Sequence, residues 1–215
     1  MSTTVASIGV LDKAVAVLDA VAGADRPLGL AELVAASALP RATAYRIAVA
    51  LESHGLVRRD GDGRFAPGLR LVGLGRAAAA AFPLADAARP TLQSLRDETG
   101  ESVQLFVRAG EGRLCVESFE SAHGLRWIVP VGALLPLDRG SAGRVLSGVG
   151  GPVVESVEER ERGVASVSAA IHDRSGAVAA AVCVSGPIER LTRAPARRYG
   201  DAVLAAAAAI EASLH

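Results

Sequence analysis

A short segment of the sequence, PRATAYR, brings together three kinds of hydrogen-bonding side chain. Arg41 and Arg46 each carry a guanidinium group, Thr43 carries a hydroxyl group and Tyr45 a phenol. A guanidinium group matches the two acceptors of guanine in the major groove, threonine can bond a base edge or touch the thymine methyl group, and tyrosine commonly reaches a phosphate. These residue types therefore predict contact with double-stranded DNA.

These side chains can enter one groove together only if a helix presents them on one face. Apolar residues at helical spacing predict a helix over residues 41–54 that ends at Gly55. The stripe that should face the core consists of Ala44, Ile47, Ala48 and Leu51. The outward-facing residues, which we predict to contact DNA, are Arg41, Ala42, Thr43, Tyr45 and Arg46.

The elements around this helix complete a small DNA-binding unit. A helix over residues 10–22, a short helix over 30–36 and a turn at 37–40 precede it, which is the helix-turn-helix arrangement. A hairpin over 56–66 follows, around a glycine-rich turn. Its arginines suit a wing that lies against the DNA backbone, and they are Arg58, Arg59 and Arg64. We therefore predict a winged helix-turn-helix domain over residues 1–68.

The rest of the chain predicts a linker helix and an α+β domain. Residues 69–83 form a helical run whose apolar stripe is too wide for one neighbouring helix to cover, which predicts a homodimer or a tetramer. Over residues 84–215, the pattern predicts helices that flank a sheet. The predicted helices cover 84–99 and 199–214, and the predicted strands cover 102–108, 113–117, 126–131, 163–172 and 177–185.

The composition limits the class of protein. Half of the residues are apolar, and 23 basic residues balance 23 acidic ones. This composition supports a packed core and excludes a uniformly basic nucleic-acid coat. The longest apolar stretches, residues 77–85 and 202–210, are about half a membrane span, and the N-terminus lacks the features of a cleaved signal. We therefore expect a cytoplasmic protein that does not contact a membrane.

Patterns for catalysis or cofactor binding are incomplete in this sequence. Residues 73–78, GLGRAA, match a dinucleotide fingerprint by letters but do not follow a strand. Asp138, Ser141 and His123 lack the G-x-S-x-G turn of a hydrolase. The four histidines and two cysteines show no spacing typical of metal ligands. We therefore predict no enzyme activity, no cofactor and no metal site.

Two long segments resemble the IclR family of bacterial transcriptional regulators. They are LAELVAASALPRATAYRIAVALESHGLVRRDGDGRFAPGLRL and ERERGVASVSAAIHDRSGAVAAAVCVSGPIERLTR. The second resembles the actinobacterial branch that controls amino-acid biosynthesis genes, notably leucine genes. The resemblance implies a GAF-like effector-binding domain, dimers that pair into tetramers, and binding to palindromic operators. It also implies a small-molecule effector such as an amino acid or a related metabolite.

One segment departs from the family pattern. Relatives carry a long segment between the helix that begins at GSA and the strand at ERERGVASVSA, whereas this chain has only SGVGGPVVES there. In relatives, the missing part covers the effector side of the sheet. We therefore expect an effector domain shortened near residues 148–156, with a pocket that lacks its roof and binds a ligand weakly.

Four residues are predicted at the rim of this pocket, and they are Leu137, Ser141, Glu159 and Ser185. The resemblance places Glu159 at the pocket entry, although a mixed charge run such as EERER is otherwise typical of a solvated surface. Trp127 is interpreted as a core residue rather than as a platform for a ligand.

Two alternative functions stay open at this point. The chain could be a constitutive DNA-binding regulator whose sensor domain has degenerated, in which case no metabolite would change its affinity for an operator. It could also be a small-molecule-binding protein whose winged helix contacts another protein. In that case, reversing the charges on the recognition helix would leave promoter binding unaffected.

Overall fold

The protein is described here by a computed structural model that covers residues 9–80 and 83–214. The chain divides between residues 81 and 82 into two units. By its contacts, the helix predicted as a linker groups with the first unit rather than between the two. No helix within the described ranges is long and apolar enough to cross a membrane.

In the first unit, helices α1–α3 pack around an apolar core that a hairpin closes. The elements are α1 (Gly9–Ala22), α2 (Leu30–Ser37), α3 (Arg41–Ser53), β1 (Val57–Arg59), β2 (Phe65–Pro67) and α4 (Arg70–Ala80). Val17, Leu33 and Ala48 are fully buried where the first three helices meet. Backbone hydrogen bonds in both directions between Leu28 and Phe65 attach the hairpin to the segment before α2. The predicted order of helices and hairpin is confirmed.

The inward face of α1 differs from its prediction at one end. The helical spacing of Leu11, Ala14, Leu18 and Val21 predicts an inward stripe, but 57% of Leu11 is exposed, and Val10 and Val15 are exposed beside it. The buried residues of α1 are Val17 and Val21, both in its second half. The prediction for Leu11 is wrong because the first residue of α1 that packs against the core is Ala14, one turn further along the helix.

Two glycines bring the end of α3 and the start of α4 together. Gly55 has a φ of +70°, a conformation that side chains with a Cβ rarely adopt, and it follows the end of α3 as predicted. A Cβ at Gly68 would lie 2.1 Å from the carbonyl oxygen of Gly55, so this close approach requires glycine. The Gly68 N–H donates to the carbonyl of Leu56 at 2.9 Å. The hairpin and α4 are thus both attached at the end of α3.

In the second unit, the described residues form a six-stranded antiparallel sheet in the order β5-β4-β3-β8-β7-β6. Helices precede, interrupt and follow the strands, which confirms the predicted α+β class. The helices are α5 (Leu84–Thr99), α6 (Ser141–Leu146), α7 (Ile188–Leu191) and α8 (Pro195–Ser213). The strands are β3 (Ser102–Ala109), β4 (Gly112–Phe119), β5 (Leu134–Pro136), β6 (Val153–Val157), β7 (Val164–His172) and β8 (Val178–Pro187).

The two faces of this sheet carry separate apolar cores. Alternate residues of the central strands, such as Leu105 and Val182, face α5 and α8. The intervening residues, such as Phe106 and Cys183, face α6. Because side chains alternate along a strand, each central strand contributes to both cores. The face under α6 is where the predicted pocket residues Ser141 and Ser185 come together.

Two sequence predictions in this unit are wrong. Residues 126–131 are irregular rather than a strand. Pro130 lacks a donor for a ladder, and Gly132, with a φ of +89°, turns the chain. On the edge of β4 opposite β3, the described strand that pairs with it is therefore the short β5. No strand is predicted over 147–156, but this bridge contains most of β6, which pairs with β7 at the edge of the sheet.

A buried ion pair joins the start of β3 to α7. Glu101 is 1% exposed, and its carboxylate accepts hydrogen bonds from Arg190 Nε at 2.5 Å and Nη2 at 2.8 Å. A Cβ at Gly186 would lie 2.5 Å from Glu101 Oε2, so β8 approaches this carboxylate closely. Arg190 also donates to the carbonyl oxygen of Leu125 at 2.9 Å. The pair thereby connects β3, α7 and the segment that follows β4.

Candidate DNA-binding surface and ligand cavity

The recognition helix α3 has the two faces that its sequence predicts. Ala44 and Ala48 are fully buried, and Leu51 is buried beside them. The predicted DNA-contacting residues lie on the other side, where Thr43 is half-buried and Arg41, Ala42, Tyr45 and Arg46 are exposed. The structure thus brings all five onto one solvent-facing surface at the start of the helix.

Arg41 and Arg46 are free to bind an external partner. Neither has a hydrogen bond or an ion pair in the described part of the chain. Arg46 and Thr43 line a surface cleft together with Lys13 of α1. Sequence reasoning missed Lys13, because its position beside α3 depends on how α1 packs. It adds a third positive charge to this surface.

The three arginines of the wing are not equivalent. Arg59 pairs with Glu52 at 3.0 Å, and its guanidinium carbon lies 5.6 Å from the ring centre of Tyr45. Arg64 pairs with Glu32 at 3.2 Å and donates to the carbonyl of Pro27. Arg58 is exposed and has no intramolecular partner among the described residues. The structure therefore leaves Arg58 as the wing arginine that is free for a phosphate.

The partner of Arg64 belongs to a network that holds the start of α2. Glu32 accepts a hydrogen bond from Arg26 at 2.5 Å and from the backbone N–H of Gly29 at 2.8 Å. These two hydrogen bonds lower the pKa of Glu32 to about 2, and the hydrogen bond from Arg26 has the larger effect. A carboxylate at this position stabilises the first turn of a helix by bonding its free N–H group. Arg64 thus has a structural role that its sequence position does not reveal.

We expect substitutions in the wing to separate these roles. Arg58→Ala should lower the affinity for all DNA sequences and reduce the slope of log K against log salt by about 1, because one phosphate contact is lost. Arg64→Ala is the matched control, since its charge is already paired within the protein, and it should leave the salt slope unchanged. The measurement is a salt titration of binding to random duplex DNA. Equal slopes for Arg58→Ala and the unsubstituted protein would contradict the assignment.

The second unit contains a cavity of about 40 Å³ between α6 and the sheet. Of the four residues predicted at its rim, Ser141 and Ser185 line it. Leu137 and Glu159 do not. Leu137 packs in the apolar core under α6, and Glu159 accepts a hydrogen bond from the Gly140 N–H at 3.0 Å and pairs with Arg144 at 3.1 Å. Glu159 therefore stabilises the start of α6 from outside the cavity.

Hydroxyl groups and one amide line the floor of the cavity. Ser141 Oγ lies 2.7 Å from Ser166 Oγ and 2.8 Å from Ser168 Oγ. Ser185 Oγ donates to Gln104 Oε1 at 2.8 Å, but the buried Gln104 Nε2 has no partner among the described groups. This amide therefore offers donors that a ligand could use.

The two cysteines are buried and free. Burial raises the pKa of Cys183, which lines the cavity, and raises the pKa of Cys115 to about 12. Both thiols are therefore neutral at pH 7, and neither is activated as a nucleophile. No group of three His, Cys, Asp or Glu side chains within residues 9–80 and 83–214 could hold a metal ion.

Two arginines that the sequence reasoning missed also line the cavity. Arg113 is 3% exposed and lies over the ring of Phe106, with 5.4 Å between its guanidinium carbon and the ring centre. Arg160 lies over the ring of Trp127 at 4.8 Å. Trp127 packs against the core under α6, in agreement with its interpretation as a core residue, and it also lines the cavity. The alternation along β4 could have revealed Arg113, since it places this arginine on the same face as the buried Cys115.

Comparisons with known proteins cover both units. The profile described as IclR helix-turn-helix domain matches residues 10–61. The profile described as bacterial transcriptional regulator IclR C-terminal matches residues 76–153 and 150–212. A glycerol operon regulatory protein from Streptomyces griseus is 30% identical over 242 residues, covering 95% of this chain and 95% of that protein.

Solved structures share the fold over nearly the whole chain. An IclR homolog from Microbacterium hydrocarbonoxydans, complexed with 4-hydroxybenzoate, has a TM-score of 0.78 at 21% identity and covers 95% of this chain and 98% of its own. The IclR of Thermotoga maritima has a TM-score of 0.73 at 22% identity, with 97% and 99% covered. At these identities, the likeness shows a common architecture.

Proposed function

The chain belongs to the IclR family of DNA-binding transcriptional regulators, and we propose that it binds a palindromic operator through α3 and the wing under the control of a small molecule in the second unit. The observation that carries the proposal is the set of exposed arginines without intramolecular partners. Within the described residues, Arg41 and Arg46 on α3 and Arg58 on the wing all have this property. Unpaired guanidinium groups at the start of a recognition helix suit base edges and phosphates.

The experiment that tests this proposal is sequencing of the genomic DNA fragments that the full chain binds. We expect an enriched palindrome whose half-sites lie one or more DNA turns of about 34 Å apart, because a two-fold symmetric dimer places two recognition helices at such a spacing. Fragments without a shared motif would contradict the proposal. They would favour the alternative in which the winged helix contacts another protein.

We propose that α4 supplies the dimer contact. Its apolar side chains are exposed in the single chain, with Val72 60% and Leu74 51% exposed, and Leu69, just before the helix, is 80% exposed. The predicted stripe consists of Leu71, Val72, Leu74, Gly75 and Ala78, and its small members, Gly75 and Ala78, allow a second helix to approach closely. An apolar face of this kind is usually buried against a partner. A dimer would also set the distance between the two recognition helices.

A charge on this face should break the dimer. We expect Leu74→Glu to shift the protein from dimer or tetramer to monomer at micromolar concentration, because the carboxylate would have to be buried in an apolar contact. Gly73→Glu is the control, since a Cβ at Gly73 meets nothing within 4 Å and the position lies outside the predicted stripe. Sedimentation velocity measures both. A monomer without substitution, or a dimer that tolerates Leu74→Glu, would contradict the proposal.

We propose amino-acid metabolism as the regulated process, with an amino acid or a related metabolite as the effector. The support is the resemblance of the second unit to the branch that controls amino-acid biosynthesis genes. The similarity to a glycerol operon regulatory protein makes glycerol metabolism the competing assignment. The genes beside the bound operator distinguish the two.

We also propose that the effector domain is shortened near residues 148–156. The alignment with the Streptomyces griseus protein extends over 242 residues although this chain has 215, so the relative carries residues that this chain lacks. The C-terminal profile matches in two pieces that meet at residues 150–153, where β6 begins. Ser156, Arg160 and Glu161 line the cavity. The end of the short bridge and the segment after it thus supply part of the cavity wall, which favours a working sensor over a degenerate one.

A further inference from the structure

The wing carries two neighbouring arginines that face in opposite directions. Along β1, Val57 is buried, Arg58 is exposed and Arg59 is half-buried. Side chains alternate along a strand, so Arg59 lies on the same face of the hairpin as Val57, which packs in the core of the first unit. Arg58 lies on the other face, in solvent. The strand therefore directs Arg59 towards the helices and Arg58 away from them.

The side chain of Arg59 contacts both the wing and α3. Its guanidinium carbon lies over two aromatic rings, 5.6 Å from the ring centre of Tyr45 on α3 and 5.1 Å from that of Phe65 on β2. Its Nη2 atom pairs with Glu52 at 3.0 Å. Tyr45 and Glu52 lie on one face of α3, about two turns apart. Phe65 is the residue that pairs with Arg59 across the hairpin. One side chain thus connects the hairpin to two positions on α3.

These contacts withdraw part of the Arg59 guanidinium from solvent. Its Nη2 atom is engaged by Glu52, and its Nε atom is buried with no hydrogen-bond partner among the described groups. A phosphate that binds an arginine in the bidentate manner needs two neighbouring N–H groups of the guanidinium. The edge formed by Nε and Nη2 is therefore closed to a phosphate, whereas the exposed Arg58 has no such restriction.

Tyr45 is the member of this cluster that DNA can reach. It is 42% exposed and lies on the same surface as Arg41 and Arg46. A tyrosine hydroxyl commonly bonds a phosphate, and such a contact contributes more when the side chain does not have to be ordered on binding. A guanidinium group within about 6 Å of a ring centre attracts that ring. Arg59 therefore restricts the positions of the Tyr45 ring before DNA arrives.

From these observations we infer that Arg59 is a positioning residue, which holds the Tyr45 phenol in place for its contact with DNA instead of binding a phosphate itself. This inference rests on the proposed binding of an operator through α3 and the wing. Glu52 and Phe65 hold the guanidinium group, and the guanidinium group holds Tyr45. Arg59 and Arg58 thus have different roles, whereas the sequence predicts the same phosphate contact for both.

The first test compares Arg59→Lys with Arg58→Lys, the matched control, in binding of the full chain to the enriched operator. Lysine keeps the positive charge but lacks the planar group that packs on a ring. A phosphate contact tolerates this change, so Arg58→Lys should stay within about twofold of the unsubstituted protein. Arg59→Lys should weaken operator binding about fivefold to tenfold, with an unchanged slope of log K against log salt. Equal affinities for the two variants would overturn the inference.

A double-mutant cycle with Tyr45→Phe tests whether Arg59 acts through the phenol. Tyr45→Phe removes the hydroxyl group but keeps the ring that Arg59 lies over. With the hydroxyl contact absent, Arg59→Lys should weaken operator binding by less than about twofold, because residues that act together are not additive. A role in folding alone, or a separate phosphate contact, would make the two losses additive, and that result would overturn the inference.

Glu52→Gln keeps the inference testable even if Arg59→Lys fails to fold. If Arg59 bound a phosphate, loss of the competing carboxylate would release it, and the salt slope on random duplex DNA would become steeper by about 1. We expect an unchanged slope, because the rings still hold the guanidinium group, and a steeper one would overturn the inference.

Arg46→Ala on the same operator separates this inference from the proposed function. If Arg46→Ala weakens operator binding and Arg59→Lys does not, only the positioning role of Arg59 fails. If neither substitution weakens it, the assignment of α3 as the base-reading helix fails as well.

Discussion

Alanine in place of Arg46 or Arg41 is expected to weaken binding to the operator about 10- to 100-fold, while binding to random DNA changes little. A bidentate contact to a base is worth about 1–3 kcal/mol of discrimination. Both guanidinium groups are exposed on α3 and unpaired within the described chain, so no intramolecular contact is lost with them. The substitutions should therefore act on recognition and not on folding.

The measurement is a pair of titrations for each variant, one with the enriched operator and one with a scrambled duplex of the same length. Arg197→Ala is the matched control, because Arg197 is also exposed but lies on α8 of the second unit. It should change neither affinity. If Arg46→Ala lost the same affinity on both duplexes, Arg46 would be a phosphate contact, and the assignment of α3 as the base-reading helix would fail.

The second large effect is expected at the buried ion pair. Arg190→Met should lower the free energy of unfolding of the second unit by about 3–5 kcal/mol, because it leaves the carboxylate of Glu101 buried and unpaired. Glu101→Gln should cost clearly less. The side chain of Arg190 is 26% exposed against 2% for Glu101, so the guanidinium left behind can reach water and still donate to the carbonyl of Leu125.

Urea unfolding followed by the fluorescence of Trp127 measures this difference, since this single tryptophan reports on the second unit. The double variant, Glu101→Gln with Arg190→Met, should recover part of the stability lost in Arg190→Met alone, because the unpaired charge is then absent. Equal losses for the two single variants would show that the pair contributes through packing and not through compensation of the buried carboxylate.

Local patterns in the sequence predicted most of the fold. The stripe of Ala44, Ala48 and Leu51 placed α3 and its outward arginines correctly, because a side chain's direction on a helix follows from its position in the helical repeat. The same holds for the hairpin around residues 60–63 and for the central strands, where apolar runs end at turn residues. Segment 126–131 misled the prediction because a short run of apolar residues resembles a strand, whereas a strand also needs a partner with free backbone groups.

The roles of the charged residues depended on the tertiary structure. From the sequence, Arg58, Arg59 and Arg64 look alike, but Arg64 meets Glu32 and Arg59 meets Glu52, which leaves only Arg58 of these three without a partner in the described chain. In the second unit, Glu159 lies outside the cavity that it was predicted to border, whereas Arg113 and Arg160 line it. The sequence by itself determined the elements and their faces, since these follow from periodicity. Only the folded chain decided which charges are paired, because ion pairs form between residues that are distant in sequence and close in space.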